Sequence, residues 1–436
     1  MHDEFDDVVK KSIGEEAFKK IMGPDVNIHW DKNDHGVKAK TLNNVVAFFK
    51  TDKSLIDLIK LNMFTWEIEF TRAPLWRKDS VAGEIIHDND IIAIKGYLSS
   101  SHTFDVPVSL IFEAIVLVAS QSAYHPIKTY LEAIKWDGVK RLDTWLVTYA
   151  GCQDTAYTQA VSAKILLAAI SRIYQPGCKF DYMLILEGDQ GIGKSTLVSA
   201  LGGAWYKELD LFSERNKDTV DAMRGVWIAE VSELANFKKA EIEGVKAFIS
   251  KQIDRVRLSY DRCTKNFHRQ IVFIGTINPD GNGYLRDQTG NRRFWPVACR
   301  KVDCHGLVGV RDQLFAEAYL RYKEGGFKLY LEGGEMEIAV LEQKEREVKE
   351  TWTYTIGEWL DKSPLITQYH YMDIALGALE LEPAKVGKWE EIRIGSAMRE
   401  LGWERKVIRV GVKLIRKWVK KEDEPSLNLN KPGWED

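Results

Sequence analysis

The segment MLILEGDQGIGKST, residues 183–196, gives the clearest indication of the fold class. Its first four residues are apolar, a glycine-rich loop follows, and the next segment, STLVSALGG, has the character of a helix. The loop matches the pattern GxxxxGK[ST] from Gly188 to Ser195, between a strand and a helix as a phosphate-binding loop requires. Two more runs typical of buried strands, GVWIAEV and QIVFIGTIN, follow along the chain. Buried strands that alternate with helical segments predict an α/β core with a largely parallel sheet.

The glycine-rich loop predicts a site in which backbone N–H groups surround a phosphate chain. Lys194 is expected to reach the β- and γ-phosphates, and the Ser195 hydroxyl is expected to ligate Mg²⁺. ATP and Mg²⁺ are therefore the expected cofactors. The alternative is a glycine turn that matches by chance, and the strand, loop and helix in register count against it. The residues predicted to bind nucleotide are Gly188, Asp189, Gln190, Gly191, Ile192, Gly193, Lys194, Ser195 and Thr196.

Two carboxylates follow the second strand, GVWIAEVSEL. A metal-binding strand of this kind ends in an acid that holds Mg²⁺, and a second acid orients or deprotonates the attacking water. We assign Glu230 to the metal and Glu233 to the water. The two acids are usually adjacent, and here two residues separate them, so the division of roles stays open. The alternative is a pair of surface glutamates at the start of a helix.

The third strand, QIVFIGTINPD, ends in the polar residue Asn278. In ring-forming P-loop ATPases a polar residue at this place helps to position the lytic water. An asparagine before Pro279 is equally typical of a turn. The strand alone does not decide between a catalytic role for Asn278 and a structural one.

Length and composition set broad limits. A chain of 436 residues suggests about two to four domains. The net charge of −3 does not indicate nucleic-acid binding. If the protein binds nucleic acid, local basic patches must provide the contacts. Five scattered cysteines without a CxxC pair argue for a reducing compartment and against a zinc site. No signal peptide or membrane-spanning run is evident. We expect a cytoplasmic protein of a bacterial host cell, without a membrane partner.

Five segments in order resemble the virulence-associated E family of phage and mobile-element ATPases, which look like superfamily 3-type helicases of the AAA+ class. They are YHPIKTYLEAIKWDGVKRLDTWL (124–146), PGCKFDYMLILEGDQGIGKST (176–196), GVWIAEVSEL (225–234), VKAFISKQIDRVRLSYDR (245–262) and FIGTINPDGNGYLRDQTGNRRFWPV (273–297). The resemblance implies a homo-oligomeric ring, expected to be a hexamer, that hydrolyses ATP between subunits. It also implies translocation on DNA during phage or mobile-element replication. The first hundred residues carry no matching motif, and residues 1–110 show no convincing DxD-plus-His constellation from which primase activity would be predicted.

The implied fold is an α/β chain with an AAA+ P-loop ATPase core, a helical collar before it and a small winged-helix-like domain after it. Four regions are expected. Residues 1–107 form an α/β accessory domain of unknown role, and residues 108–180 form the helical collar. Residues 181–330 form the ATPase core, and residues 354–421 form the winged-helix-like domain.

The segment DQTGNRRFWPV, residues 287–297, places two arginines before an apolar run. In AAA+ rings an arginine of one subunit stabilises the charge that develops on the γ-phosphate in the neighbouring subunit's site. We predict this role for Arg292 or Arg293, with the apolar run as the anchor. The alternative is an ordinary ion pair or a cation–π contact with Trp295.

The segment KQIDRVRLSYDRCTKNFHRQ, residues 251–270, has six basic and two acidic residues. The superfamily inserts a β-hairpin here that projects into the channel of the ring, where it would contact single-stranded DNA. The alternative is a solvated hairpin, or arginines paired with Asp254 and Asp261. The candidate DNA contacts are Lys251, Arg255, Arg257, Tyr260, Lys265 and Arg269.

Residues 401–421 carry eight Lys and Arg against one Glu, and two tryptophans stand among these charges. A helical unit that ends in a basic two-stranded ribbon resembles a winged helix, which would contact duplex or fork DNA. A solubilising module is the alternative.

The function we predict is an ATP-dependent DNA helicase or translocase. One alternative is a DNA-stimulated replication initiator or loader ATPase that does not unwind DNA. Another is a defence or signalling oligomer that uses nucleotide only as an assembly switch.

Overall fold

The computed structural model divides the chain into two compact units. The first contains residues 1–278 and 290–343, and the second contains residues 279–289 and 344–436. The structure describes residues 30–211, 216–232, 239–256, 264–279, 283–285, 290–347, 351–362, 366–410 and 413–421.

The first unit begins with a small hydrophobic core of its own, built around an antiparallel β-hairpin. Its elements are α1 (Leu42–Thr51), β1 (Ile59–Asn62), β2 (Glu67–Phe70), α2 (Asp88–His102) and α3 (Val108–Gln121). Helix α1 packs against α3, and α3 also packs against β1. Buried residues of α3 such as Ile111 and Ile115 belong to this core. Although the expected collar began at residue 108, the first helix of that segment packs with the residues before it.

A second, larger core surrounds a parallel five-stranded sheet. Among the described residues, the helices of this core that come before the sheet are α4 (Pro126–Ala133), α5 (Trp145–Ala150) and α6 (Ala156–Tyr174). The sheet and its helices are β3 (Met183–Glu187), α7 (Lys194–Gly202), β4 (Tyr206–Glu208), α8 (Asn216–Ala222), β5 (Ile228–Val231), α9 (Lys239–Ile249), β8 (Val272–Ile277), β9 (Phe294–Ala298), α10 (Cys304–Glu324) and α11 (Gly333–Glu345). Short 3₁₀ turns lie at Gly203–Trp205 and Asn291–Arg293.

The strand order is β4–β5–β8–β3–β9, and every neighbouring pair is parallel. Strands β3, β5 and β8 are buried along their whole length, as expected for a sheet covered on both faces. Because all the strands are parallel, their carboxyl ends meet at one edge, where ligands bind in open α/β sheets. The prediction of an α/β fold with a parallel sheet is confirmed.

Between α9 and β8 the chain forms an antiparallel hairpin of β6 (Ile253–Val256) and β7 (Lys265–His268). Arg255 lies opposite Asn266, and Val256 lies opposite Lys265. This is the segment in which the sequence predicts a DNA-contacting hairpin.

In the part of the second unit that the structure describes, three helices pack against a three-stranded antiparallel sheet of order β10–β12–β11. A 3₁₀ turn at Pro383–Lys385 precedes its last helix. The elements are α12 (Thr351–Asp361), β10 (Gln368–Tyr369), α13 (Tyr371–Gly377), α14 (Lys388–Glu400), β11 (Trp403–Val410) and β12 (Lys413–Lys420). Within the described residues, none of the helices is both long and apolar enough to cross a bilayer.

Candidate nucleotide-binding site

The loop after β3 depends on glycine at specific positions. Gly188, Gly191 and Gly193 have φ angles of 154°, 84° and 98°, a region that residues with a side chain rarely adopt. A Cβ atom on Gly188 would lie 2.6 Å from the carbonyl oxygen of Cys299 and 2.6 Å from Cδ1 of Ile192. Gly193 is the N-cap of α7, so the loop leads directly into a helix N-terminus, a favourable place for an anion.

Lys194, the first residue of α7, extends back over this loop. Its ammonium donates hydrogen bonds to the carbonyl oxygens of Gly188 (2.7 Å) and Asp189 (2.8 Å) and to Oδ1 of Asn278 (2.7 Å). Burial lowers the pKa of Lys194 from its ordinary value. Two residues that the sequence predicts for one site, Lys194 and Asn278, are therefore in direct contact.

Glu230, on β5, is fully buried and accepts hydrogen bonds from three hydroxyl groups. The Ser195 and Thr276 hydroxyls donate to Oε1, and the Tyr206 hydroxyl donates to Oε2, each at 2.6 Å. Hydrogen bonds from hydroxyl groups to a carboxylate are short and strong, so they fix the carboxylate in one orientation. The predicted metal ligands Ser195 and Glu230 thus touch each other at the carboxyl edge of the sheet.

Two members of this cluster, Tyr206 and Thr276, were not predicted from the sequence. Thr276 stands two residues before Asn278, and side chains two apart in a strand share a face, so the signal was present. Tyr206 opens the short edge strand β4, and no motif points to it. Burial, and then the hydrogen bond to Glu230, raise the pKa of Tyr206, which keeps its hydroxyl a donor.

The remaining nucleotide-binding candidates form the exposed part of the loop and the first turn of α7. Asp189, Gln190 and Gly191 are exposed, and so are Ser195 and Thr196. The Ile192 side chain, half-buried, packs against the large core. Glu233, the proposed water-activating residue, lies outside the described residues.

The arginine pair divides between two environments. Arg293 is half-buried, and its Nε donates to Oγ of Ser250 at 3.0 Å and lies 3.7 Å from Oδ2 of Asp181. Arg292 is exposed, and no described residue forms a hydrogen bond or ion pair with it. Trp295 is fully buried and stacks on Tyr182 with ring centroids 4.6 Å apart. The aromatic anchor therefore belongs to the core, while Arg292 projects from it.

The candidate DNA contacts in and next to the hairpin also differ in their exposure to solvent. Lys251, Arg255 and Lys265 are exposed. Arg269 is buried and forms a two-pronged ion pair with Asp254, in which Nε lies 2.5 Å from Oδ2 and Nη2 lies 3.0 Å from Oδ1. Its guanidinium also stacks over Phe248 at 4.2 Å from the ring centroid. Arg269 therefore braces the base of the hairpin and is not accessible to a phosphate.

Arg257 and Tyr260, the other two candidates, lie outside the described residues. They fall between the two strands of the hairpin in sequence, and they stay predictions from the sequence alone.

The comparisons with known proteins place the chain in one family. The model of the virulence-associated protein E-like domain matches residues 131–348, half of the 436-residue chain. Two solved structures, both A-form apo structures of the C-terminal region of NrS-1, share 12% identity and cover 83% of this chain and 96% of theirs. Their TM-scores are 0.44, for a region spanning residues 305–718 of NrS-1, and 0.39. No curated protein matches the chain. By the family match over half its length, the chain belongs to the virulence-associated protein E-like family.

Proposed function

We propose that the chain is an ATP-dependent DNA helicase or translocase with an AAA+ ATPase core, which acts as a hexameric ring in phage or mobile-element DNA replication in the bacterial cytoplasm. One observation supports the ATPase part of this proposal. Lys194 contacts Asn278, and Ser195 contacts Glu230, at the carboxyl edge of the sheet, where the glycine loop enters α7. Four residues that the sequence assigns to one reaction meet there. A lysine, a hydroxyl, a carboxylate and a polar amide are the side chains that phosphoryl transfer requires.

The donor set at this edge fits Mg²⁺. The ion prefers oxygen ligands such as carboxylates and keeps several waters, and the Ser195 hydroxyl and the Glu230 carboxylate are 2.6 Å apart. Bound there, Mg²⁺ would neutralise charge on the β- and γ-phosphates. Thr276 and Tyr206 hold the Glu230 carboxylate in place for it.

The other residues then have separate roles in the reaction. Lys194 exchanges its loop carbonyl partners for phosphate oxygens, and the N–H groups of the loop and the α7 N-terminus face the same anion. Asn278, released from Lys194, orients the attacking water. Glu233 is the candidate to accept a proton from that water as it attacks the γ-phosphorus and the bond to the β-phosphate oxygen breaks.

We assign the role in the neighbouring subunit to Arg292. Arg293 is held within its own subunit by Ser250 and Asp181, whereas Arg292 is exposed and has no described partner. A guanidinium that must reach a neighbour's γ-phosphate has to be anchored through its backbone and free at its side chain. The buried residues Phe294 and Trp295 provide that anchor.

For the DNA contact within the ring, we propose the exposed cations of the β6–β7 hairpin. Lys251, Arg255 and Lys265 remain candidates for contact with single-stranded DNA, together with Arg257 and Tyr260. The first 107 residues have no proposed role, and the helices before the sheet are proposed to support ring assembly.

The test measures ATP hydrolysis with and without single-stranded DNA, and strand displacement on a forked duplex. We expect DNA to stimulate hydrolysis, and we expect displacement to require ATP. Lys194→Ala should lower turnover about 100-fold or more, because a donor to the transferring phosphoryl group is lost. Lys140→Ala, which changes an exposed lysine away from the site, is the matched control.

Two results would contradict the helicase proposal. DNA-stimulated hydrolysis without displacement would indicate a loader or initiator ATPase. Hydrolysis that DNA does not affect would indicate a nucleotide-switched oligomer.

A further inference from the structure

The β11–β12 ribbon of the second unit is strongly basic. Segment 403–421 contains eight Lys and Arg and a single Glu, in a chain whose net charge is −3. The two strands pair in antiparallel register over eight residues each, from Trp403 opposite Lys420 to Val410 opposite Lys413. A run of eight strand residues extends about 27 Å.

The two aromatic residues of this ribbon are part of the core. Trp403 and Trp418 are 7% and 3% exposed, and both belong to the hydrophobic cluster of the second unit. Surfaces that bind single strands without sequence preference combine positive charge with aromatic rings on which bases stack. Because neither ring of the ribbon is accessible, the ribbon offers charge without a stacking surface.

Two arginines of the ribbon are available to a ligand. Arg409 lies opposite Leu414, and Arg416 lies opposite Val407, so the two arginines are diagonal neighbours on one face. Both are exposed, and no described residue forms a hydrogen bond or ion pair with either. Two other cations of the ribbon are paired, Arg405 with Glu391 and Lys406 with Glu404.

Helix α14, which precedes the ribbon, lacks this charge. It carries Lys388, Arg393 and Arg399 against Glu390, Glu391 and Glu400, so it has no net charge. The Arg393 guanidinium lies 3.7 Å from the ring centroid of Trp352 and so is partly occupied. An acidic first turn at Glu390 and Glu391 disfavours contact with phosphate.

We propose that the β11–β12 ribbon binds the phosphate backbone of double-stranded DNA, with Arg409 and Arg416 as contacts and without a contribution from helix α14, which has no net charge. The identification of the bound polyanion as DNA rests on the proposed function. A two-stranded β-ribbon fits the major groove of B-DNA, which is about 12 Å wide. The exposed aliphatic residues Val407 and Leu414 lie on the same face as the two arginines and suit contact with the walls of a groove.

The test is equilibrium binding of the full chain to a short blunt duplex over a series of salt concentrations, without nucleotide. Each phosphate contact contributes about 0.9 to the slope of log K against log salt on B-DNA. We expect the double variant Arg409→Ala/Arg416→Ala to lower the magnitude of the slope by about 2. Arg409→Lys/Arg416→Lys should retain the wild-type slope, because it retains both charges.

The control is Lys362→Ala/Lys385→Ala, which removes two exposed cations of the same unit outside the ribbon. It should keep the wild-type slope. An equal loss of slope in this control, an unchanged slope in the arginine-to-alanine variant, or a larger loss on a single strand than on the duplex would overturn the proposal. Because the slope is measured without nucleotide, a failure of ATP hydrolysis leaves the result standing.

Discussion

At the residue scale, the candidate site depends on one buried carboxylate and the hydroxyl groups around it. Glu230 is surrounded by Ser195, Thr276 and Tyr206, each 2.6 Å from one of its oxygens. A carboxylate that leaves water needs donors in compensation, and three O–H groups supply them. Ser195 is the one donor of the three that the proposed metal site would also use. In the proposed reaction, Thr276 and Tyr206 would act only through the position of Glu230.

Tyr206→Phe tests this positioning role. The change leaves the ring and removes one hydrogen bond to a charged group, an interaction worth about 1.5–3 kcal/mol. We expect the Mg²⁺ concentration needed for half-maximal ATP hydrolysis to rise about tenfold, since 1.4 kcal/mol is a tenfold change. Turnover at saturating Mg²⁺ should change much less.

Tyr354→Phe is the control, because it removes an exposed hydroxyl that donates to Glu358 in the second unit. Its Mg²⁺ dependence should match that of the wild type. If Tyr206→Phe lowers turnover equally at every Mg²⁺ concentration, the hydroxyl does not act through the metal site.

At the element scale, the β6–β7 hairpin separates cations of two kinds. Arg269, just after β7, is buried against Asp254 on β6, and this pair joins the base of the two strands. Arg255 and Lys265 stand on the strands themselves and are exposed. Counting charges along residues 251–270 cannot separate the two kinds, because both contribute equally to the sum.

Arg255→Ala and Arg269→Ala should therefore affect different properties, DNA binding in the first case and stability in the second. Arg269→Ala leaves the Asp254 carboxylate buried and uncompensated, and it should lower the free energy of unfolding by about 3–5 kcal/mol. Arg255→Ala should leave thermal stability unchanged and lower the salt slope of single-stranded DNA binding by about 0.7. Thermal unfolding and a salt titration measure the two effects.

Asp254→Asn tests the same ion pair by changing the other partner. It should destabilise the fold as Arg269→Ala does, with no direct effect on DNA affinity at a temperature where the variant is folded. If Arg269→Ala keeps wild-type stability and loses DNA binding instead, the structural role of Arg269 is wrong.

At the scale of the whole molecule, the proposed site is complete only when two copies of the chain meet. Arg292 has no described partner in its own subunit, and no other chain is needed to hold the residues around Glu230. The proposal therefore requires an oligomer in which Arg292 of one copy faces the nucleotide of the next. This requirement can be measured without knowing the size of the ring.

Mixing two inactive variants tests the shared site. Arg292→Ala should lower turnover about 1,000-fold or more while ATP still binds, because an arginine supplied to a neighbour's γ-phosphate contributes on that scale. Lys194→Ala removes the donor within a subunit. In mixed oligomers some interfaces combine an intact Lys194 with an intact Arg292, so ATP hydrolysis should recover to a measurable fraction of wild type.

Arg293→Ala is the matched control. It should lower stability by about 1 kcal/mol, the value of one hydrogen bond to Ser250, and leave turnover close to wild type. No recovery on mixing, or a larger loss from Arg293→Ala than from Arg292→Ala, would show that the assignment of Arg292 is wrong.

The parallel α/β core and the family could be predicted from local patterns in the sequence. Its glycines define a loop that only glycine can form, as the φ angles of Gly188 and Gly193 show. Its uninterrupted apolar runs are typical of strands covered on both faces, as β3, β5 and β8 are. These signals are local, because a few neighbouring residues fix the backbone conformation or the burial, and they can be seen without knowing what lies nearby in space.

The contacts between side chains of the candidate site depend on the tertiary structure. Tyr206 reaches Glu230 because β4 pairs in parallel with β5, and Thr276 reaches it because β8 pairs with β5 on the other side. The environments of Arg269 and Arg292 also depend on residues distant in the chain. Arg269 is buried beside Phe248, and the segment that carries Arg292 is anchored where Trp295 stacks on Tyr182. A charged or polar residue has the same local pattern whether it is paired in a core or free at a surface. Sheet order and packing, which bring distant segments together, determine which of the two it is.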